Sequence, residues 1–256
     1  MGKIIAVANQ KGGVGKTTTQ INLAACVAAR GKRVLSVDMD PQGNTTSGLG
    51  LAAQEGNSLY DVLIGDADAA ACVIDTPVEN LWLLPADMRL AAAEVELVGQ
   101  DGREYILREA LEPLRNTYDY IFIDCPPSLS LLTINALCAA DRVLVPIQCE
   151  YYALEGVGQL MNTIARVQRG LNPKLDVEGI VLTMLDGRTN LGLQVVQEVK
   201  KHFRSQVYAT IIPRNVRLSE APSHGVPIHQ YDPRSMGAEA YFDLADEFIR
   251  RSEGGS

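Results

Sequence analysis

The segment spanning residues 11–17, which reads Lys-Gly-Gly-Val-Gly-Lys-Thr, has the residue types and spacing of a loop that binds phosphate groups. Its glycines allow the backbone to turn tightly and to bring N–H groups onto phosphate oxygens. Lys16 would carry positive charge to the β- and γ-phosphates, and the Thr17 hydroxyl would ligate Mg²⁺. The segment follows a short apolar run and opens a helical pattern, so a helix N-terminus would face the same phosphates. The pattern predicts a nucleotide-binding site.

This loop departs from the usual phosphate-loop pattern at its beginning. The usual pattern has a glycine five positions before Gly15, whereas this chain has Gln10 there, followed by Lys11, Gly12 and Gly13. The alternative is a glycine-rich turn without a ligand. Chance alone would produce this pattern in a chain of this length with odds of about 1 in 25,000 at average residue usage. The sequence therefore favours a variant phosphate loop with a second lysine at its start.

Short apolar runs alternate with helical patterns along the chain. The predicted strands are Lys3–Ala8, Arg33–Val37, Leu81–Leu84, Tyr120–Ile123, Arg142–Ile147, Glu178–Met184 and Tyr208–Ile212. Helices are predicted directly after the phosphate loop and at Glu104–Arg115, Ser130–Ala139, Ala153–Arg169, Leu191–Phe203 and Ala238–Arg251. The strands are apolar nearly throughout, as expected where both faces of a sheet are covered. We predict one α/β domain over residues 1–251, a mostly parallel twisted sheet flanked by helices on both faces, of the P-loop NTPase type, with a flexible tail at 252–256.

The composition excludes several classes of protein. At 256 residues, 46% hydrophobic and 21% charged, the chain is globular rather than fibrous or disordered. It contains no apolar run near 18 residues and no signal-peptide pattern at its start. Its five cysteines form no C-x-x-C pair, which argues against a disulfide framework or a zinc site and suits the cytoplasm. The formal net charge of −8 opposes binding to nucleic acid or anionic lipid unless a local basic patch exists.

One window of the chain is basic despite the acidic total. Residues 188–217 contain one acidic side chain, Glu198, and have a net charge of +5. The basic residues of this window are Arg188, Lys200, Lys201, Arg204, Arg214 and Arg217. Such a patch could contact the phosphate backbone of DNA without reading its sequence. Taken alone, however, the spacing of these residues is also typical of a solvated helix face.

Several segments together identify a resemblance. They are Lys11–Thr18, Asp38–Asn44, Tyr120–Pro127, Gln148–Glu155 and Ile212–Pro222. In this combination they resemble the ParA/Soj family of chromosome-partitioning ATPases, and the likeness covers essentially the whole chain. The loop variant alone marks only the wider deviant P-loop superfamily, which includes MinD and the nitrogenase iron protein.

The resemblance implies that ATP and Mg²⁺ are the cofactors and that ATP drives two copies into a nucleotide sandwich. Lys11 would reach the phosphates bound by the other copy, as an arginine finger does, and Gly12 would lie where the two loops approach. Lys11, Lys16 and Asp40 are then the expected catalytic residues. The expected nucleotide contacts in the loop are Lys11, Gly12, Gly13, Val14, Gly15, Lys16, Thr17 and Thr18.

Further site residues follow from the same resemblance. Asp124, at a strand end, would hold Mg²⁺ with Thr17, and Asp38 would support that metal shell. Asp40 would orient the attacking water; the alternative is that it caps a turn. Pro213 and Asn215 would contact adenine, unless they form an ordinary turn after a strand.

The resemblance also implies partners. Proteins of this family bind double-stranded DNA nonspecifically as ATP dimers, which here would involve Arg188 and Arg217, with Lys200, Lys201 and Arg204 in the same patch. A centromere-binding partner of the ParB/Spo0J type would stimulate hydrolysis. The expected location is the cytoplasm, on the nucleoid and not on a membrane. Tyr151 and Tyr152 are expected in or near the contact between copies.

Three alternatives differ in class. A MinD-like membrane ATPase needs a basic amphipathic helix near the C-terminus, and the acidic Asp243, Asp246 and Glu247 argue against one. An iron–sulfur protein of the nitrogenase type needs two suitably placed cysteines, and Cys125 directly follows the expected metal ligand Asp124. The third alternative is a nucleotide-dependent interaction protein that slow hydrolysis resets. It overlaps with the ParA/Soj interpretation, because such switches also turn over slowly without their activator.

Overall fold

A computed structural model describes residues 1–150 and 153–254, apart from the side chains of residues 153–156. Tyr151 and Tyr152, and the end of the predicted tail at 255–256, lie outside the described residues. The strands are β1 (Lys3–Val7), β2 (Val34–Asp38), β3 (Ile74–Asp75), β4 (Leu81–Leu84), β5 (Tyr120–Asp124), β6 (Arg142–Gln148), β7 (Asp176–Leu185) and β8 (Val207–Pro213). They form one sheet in the order β3-β4-β2-β5-β1-β6-β7-β8. Every pairing is parallel except that of β3 with β4.

Helices connect these strands and cover the sheet. They are α1 (Lys16–Ala29), α2 (Asn44–Gly48), α3 (Leu59–Leu63), α4 (Ala69–Cys72), α5 (Leu90–Glu96), α6 (Ile106–Leu111), α7 (Leu131–Ala139), α8 (Ala153–Gly170), α9 (Asn190–Phe203), α10 (Val216–Glu220), α11 (Ile228–Tyr231) and α12 (Met236–Glu253). The predicted α/β class and mostly parallel sheet are confirmed. The sequence patterns missed β3 and the short helices, because elements of two to seven residues give too little periodicity to recognise.

Alternating side chains of the strands build two apolar layers. Ile4 packs in one layer with Leu137 of α7, whereas its neighbour Ile5 packs in the other layer with Phe248 of α12. Successive side chains of a strand point to opposite faces, so a sheet covered on both sides needs apolar residues at every position. This explains why the strand sequences are apolar nearly throughout.

The last helix packs along the edge of the sheet. The buried carboxylate of Glu247 accepts hydrogen bonds from the backbone N–H groups of Ala209 and Thr210 in β8. The helix continues to Glu253, whose carboxylate forms an ion pair with Lys32. Within the described residues, none of the helices is both long and apolar enough to span a bilayer.

The parallel order brings three strand ends together. β1 lies between β5 and β6, and β5 also pairs with β2. Asp38 at the end of β2 is in register with Asp124 at the end of β5, which is also in register with Val7. Loops that follow these strands therefore converge at one edge of the sheet.

Candidate nucleotide-binding site

The phosphate loop joins β1 to α1 and depends on its glycines. Gly13 has φ of 73° and Gly15 has φ of 85°, in the left-handed region where a side chain is strained. Gly15 immediately precedes α1, so the free N–H groups of the first helical turn face the loop. The Thr183 hydroxyl on β7 donates to the carbonyl of Val14 and anchors the loop to the sheet. The residues predicted to cradle phosphates thus adopt a shape that suits an anion.

Lys16 lies inside this loop. Its ammonium is 3.4 Å from the carbonyl oxygen of Lys11 and is buried, although a lysine ammonium has three donors to satisfy. Burial lowers the pKa of Lys16, while the nearby Asp124 opposes that shift. A bound anion would relieve the cost of this buried positive charge.

Asp124 is the acceptor at the floor of the site. Its Oδ2 accepts hydrogen bonds from the hydroxyls of Thr17, at 2.7 Å, and of Thr45, at 2.9 Å. Its Oδ1 is buried and has no hydrogen-bond partner among the described residues. Burial, together with the neighbouring Asp38, raises the pKa of Asp124 to about 7. A buried oxygen without a donor is costly, and a hard cation such as Mg²⁺ would satisfy it. The donor set of Thr17 and Asp124 therefore fits the metal predicted from the sequence.

Asp38 holds the loop after β2. Its Oδ2 accepts from both the backbone N–H and the hydroxyl of Thr46, and its Oδ1 accepts from the N–H of Asp40. Burial raises the pKa of Asp38 to about 6. Both of its oxygens are thus engaged in fixing the loop and α2. Its place in register with Asp124 is compatible with the predicted support of the metal shell, which stays a prediction.

The position of Asp40 fits both roles considered for it, the capping of a turn and a contact with a bound ligand. Its Oδ1 accepts from the N–H of Gln42 at 3.0 Å, which is the turn-capping contact. The residue also lines the cleft above the phosphate loop. A carboxylate that caps its own turn is held in a fixed position, so the capping contact and a role toward a bound ligand are compatible.

Two cavities meet above the loop. The larger, of about 610 Å³, is bounded by the phosphate loop, the loop after β2 and residues 126–128. The second, of about 340 Å³, shares Gly15, Thr18 and Met184 with the first. Pro213 and Asn215, the residues predicted to contact adenine, line this second cavity. The side-chain oxygen of Asn215 accepts from the N–H of Arg217 and caps the start of α10. The side-chain NH₂ group of Asn215 and the second lone pair of its oxygen are left for contact with a base.

Sequence reasoning missed several residues of the two cavities. Thr45 and Thr46 of α2 bind the two aspartates, and Met184 has an unusual φ of 54°. Further lining residues of the second cavity are Leu218, Pro222 and Tyr241. The two threonines lie within α2 and bind aspartates of β2 and β5, so no local sequence pattern pointed to them.

Lys11 lies outside the cleft that Lys16 occupies. Its ammonium is 3.9 Å from Glu150, whose other carboxylate oxygen is 3.7 Å from the guanidinium of Arg214. Next to it, a Cβ placed on Gly12 would meet no atom within 4 Å. The second lysine of the loop is therefore directed away from the phosphate position of its own chain.

The structure does not gather the predicted DNA-contacting residues into one patch. Arg188 follows β7, and Arg214 and Arg217 follow β8, at the edge that carries the nucleotide cleft. Lys200, Lys201 and Arg204 lie at the other end of α9, which at 1.5 Å per residue is about 20 Å long.

Acidic residues from outside the window also neutralise several of these cations. Arg188 pairs with Asp186 at 2.7 Å, and Arg217 pairs with Glu220 and Asp232. The charge counted along the sequence therefore overstates the local potential. The predicted DNA-contacting residues thus lie in two groups, one at each end of α9, and their contact with DNA stays a prediction.

A glycine-bent loop between a central parallel strand and its helix places the chain among the P-loop nucleoside triphosphatases. A family model described as an AAA domain matches residues 2–177. The chain is 64% identical to the sporulation initiation inhibitor protein Soj of Bacillus subtilis, over 96% of this chain and 98% of that protein. It is 56% identical to the chromosome partitioning protein ParA of Myxococcus xanthus, over 98% of this chain and 89% of that protein. The chain belongs to the ParA/Soj family of chromosome-partitioning ATPases.

A solved structure from Mycobacterium smegmatis shares the fold. It is described as cobyrinic acid a,c-diamide synthase with bound ADP and magnesium, and superposes with a TM-score of 0.88 at 41% identity. The match covers 100% of this chain and 97% of the other. The name of that protein describes a different reaction. We therefore compare the two proteins only in their fold and in the presence of a nucleotide site.

Thr46 provides a test of the loop geometry. We expect Thr46→Val to lower the free energy of unfolding by about 2 kcal/mol, because a buried carboxylate loses a hydroxyl donor. Urea denaturation of this variant beside Thr46→Ser measures the effect. The serine variant keeps the hydroxyl and should stay within about 1 kcal/mol of wild type. Equal destabilisation of both variants would mean that the methyl group, not the hydroxyl, is what matters.

Proposed function

We propose that the chain is an ATP-dependent switch for partitioning DNA. ATP and Mg²⁺ bring two copies together, the dimer holds DNA without reading its sequence, and hydrolysis releases it. The observation that carries this proposal is the buried Oδ1 of Asp124, which has no hydrogen-bond partner within the part of the chain that the structure describes and lies beside Thr17 and Lys16. This arrangement suits a metal-bound nucleotide. The names of the Bacillus and Myxococcus relatives support the role in chromosome partitioning.

The nucleotide would lie across the two cavities. The phosphates would contact the loop N–H groups and Lys16, and the base would enter the cavity lined by Pro213 and Asn215. Thr17 and Asp124 would hold Mg²⁺, which when bound neutralises phosphate charge. Asp40, held by its turn, would accept a hydrogen bond from the attacking water and orient it.

Dimerisation would use the outward-facing start of the loop. The ammonium of Lys11 is exposed enough to leave Glu150 for the phosphates of a second copy, where it would stabilise developing negative charge. The open space around Gly12 leaves room for the loop of that copy to approach closely. A nucleotide would then be enclosed by both chains, which makes association depend on the triphosphate.

DNA binding would use both ends of α9. A duplex lying along this helix could meet Arg188 and Arg217 at one end and Lys200, Lys201 and Arg204 at the other. Phosphate contacts of this kind carry no sequence information. Dimerisation doubles their number, so affinity for DNA would rise with ATP through avidity. The net charge of −8 would keep single copies off DNA.

A partner of the ParB/Spo0J type would stimulate hydrolysis, and the protein would reside in the cytoplasm, associated with the nucleoid. The MinD-like membrane alternative is disfavoured by the contacts of α12. Asp246 of this helix pairs with Arg30, and Glu247 binds β8. The helix thus uses its acidic residues to pack on its own domain, which does not suit insertion at an anionic lipid surface.

Lys16 provides a test of the phosphate-loop assignment. We expect Lys16→Ala to weaken ADP binding at least about 100-fold, because a buried charge-assisted contact to phosphate is lost. Titration with a fluorescent ADP analogue measures this. Lys11→Ala is the matched control on the same loop and should bind ADP almost as wild type does. Near-normal ADP affinity of the Lys16 variant would refute the phosphate-loop assignment.

Asp40 and Gly12 provide a test of the ATP-dependent dimer. We expect Asp40→Ala to bind ATP and Mg²⁺, hydrolyse slowly and run as a stable dimer in light scattering. Adding Gly12→Val should return it to a single copy with ATP still bound, because a Cβ at this position meets no atom of its own chain within 4 Å and the side chain would instead obstruct the approaching loop of the second copy. If the Asp40 variant stays a single copy at saturating ATP, or hydrolyses ATP rapidly, the scheme is wrong.

Arg188 and Arg217 provide a test of DNA binding. We expect Arg188→Ala and Arg217→Ala each to weaken binding of the ATP dimer to unrelated duplexes by similar factors and to flatten its salt dependence. The exposed Lys174, outside both basic groups, provides the control variant Lys174→Ala. Fluorescence anisotropy at several salt concentrations measures these effects. Loss confined to particular DNA sequences would instead indicate base readout, and an equal loss in the control would remove the special role of both arginines.

A further inference from the structure

Gln20 is a wholly buried polar side chain directly behind the nucleotide site. It lies on α1, about one turn after Lys16, and lines neither of the two cavities above the loop. One end of its side-chain amide is 3.3 Å from the hydroxyl oxygen of Thr45 in α2. That hydroxyl oxygen is also 2.9 Å from Oδ2 of Asp124. Thr45 therefore stands between the amide of Gln20 and the carboxylate at the floor of the site.

The hydroxyl of Thr45 cannot donate to both of these neighbours. A threonine hydroxyl has one hydrogen and two lone pairs, so it donates once and accepts through its lone pairs. Oδ2 of Asp124 is the nearer oxygen and, in an ionised carboxylate, the stronger acceptor. An amide oxygen of Gln20 would then face the Thr45 oxygen with no hydrogen between them. The contact is favourable only when Gln20 presents its NH₂ group.

The other end of the same amide favours this orientation as well. With its oxygen toward Thr45, Gln20 has a buried Nε2 that finds no hydrogen-bond partner among the residues that the structure describes. Buried donors without a partner are rarer in proteins than buried carbonyl oxygens without one. The oxygen and nitrogen of an amide are similar in size, so a half-turn of the amide exchanges them without moving any other group. After this turn the nitrogen reaches Thr45.

This orientation fixes the direction of the Thr45 hydrogen. Once Gln20 occupies a lone pair of the Thr45 oxygen, the hydrogen is directed to Asp124, and Oδ2 keeps both of its donors, Thr17 and Thr45. Oδ1, which has no partner within the described part of the chain, is then the oxygen left for a cation. Groups that hydrogen-bond to a metal ligand commonly set its orientation and its affinity for the metal.

We propose that Gln20 is a positioning residue for the metal site. Its amide nitrogen donates to Oγ of Thr45, and this contact keeps the Thr45 hydroxyl in the state that donates to Asp124. Gln20 acts through Thr45 alone. The orientation of the hydrogen bond stands by itself, whereas its effect on the metal rests on the proposed function.

Gln20→Met tests the effect on the metal, because methionine has a similar length and cannot donate a hydrogen bond. The measurement is a Mg²⁺ titration of the protein with a fluorescent ADP analogue. We expect Mg²⁺ affinity to fall about fivefold, less than the loss of roughly 10–100-fold that follows removal of a direct partner of a metal ligand. Affinity for the analogue without Mg²⁺ should stay within about twofold of wild type. Unchanged or tighter Mg²⁺ binding would overturn the proposal, since an amide oxygen would then be competing for the hydrogen.

Two further variants separate positioning from a general loss of structure. Thr45→Val should weaken Mg²⁺ binding about tenfold, and adding Gln20→Met to it should change the affinity by less than about twofold, because Gln20 acts through the missing hydroxyl. Asn135 is an equally buried amide that binds Leu107 and Arg103 instead. Asn135→Leu should lower the urea midpoint without changing the ratio of ADP affinities with and without Mg²⁺. A full additional loss in the double variant, or a changed ratio in the Asn135 variant, would contradict the role of Gln20.

The orientation of the amide is measured without nucleotide or metal. The probe is the pair of side-chain NH₂ signals of Gln20 in the ¹⁵N-labelled protein, identified by their absence in Gln20→Met. The spectra are recorded at about pH 8, above the pKa of about 7 of Asp124. We expect these signals to shift in Thr45→Val and to stay near their wild-type positions in Thr45→Ser, which keeps the hydroxyl. No shift in either variant, or equal shifts in both, would show that the NH₂ group does not bind the hydroxyl.

The two measurements also distinguish this proposal from the proposed function. If Mg²⁺ leaves the ADP affinity of wild type unchanged, the proposed metal-bound nucleotide fails, while the NH₂ signals still decide the hydrogen bond. If Mg²⁺ strengthens ADP binding equally in wild type and in Gln20→Met, the proposed function stands and the positioning role of Gln20 fails.

Discussion

One buried carboxylate oxygen organises the site. Oδ2 of Asp124 accepts hydroxyl hydrogens from Thr17, in the first turn after the phosphate loop, and from Thr45, in the helix after β2. Two segments that are far apart in the chain are thereby fixed to the end of a central strand. A buried carboxylate is tolerated only when donors or a cation satisfy it, so both threonines and the position left for metal follow from the same electrostatic requirement.

A second layer of contacts extends this arrangement outward. Asp38 holds Thr46, and Thr46 in turn accepts from Ala86, which leads into α5. Each link is a hydrogen bond between buried groups, where the loss of a single partner is costly. The cleft is therefore not bounded by independent loops. The segments that form its walls are joined by polar contacts, so a displacement of one segment would displace the segment hydrogen-bonded to it.

The sequence predicted local features well and distant ones poorly. The phosphate loop, the strand-end position of Asp124 and the parallel sheet follow from short patterns, because glycine torsion and apolar periodicity act over a few residues. The contact of Thr45 with Asp124 joins residues 79 positions apart, and no local pattern encodes it. The distribution of the basic residues of 188–217 was also not predictable from local sequence. A helix of 14 residues separates charges that are near in sequence, and folding brings Asp232 to Arg217.

The outermost strand carries a consequence for assembly. An open sheet edge invites hydrogen bonding with the edge of another molecule, which leads to uncontrolled polymerisation. In β8, the backbone donors of Ala209 and Thr210 are taken by the carboxylate of Glu247 from α12. Glu247 of α12 thus occupies backbone donors at this edge that a strand of another molecule could otherwise bind. Molecules of this protein are thereby discouraged from joining strand to strand along β8.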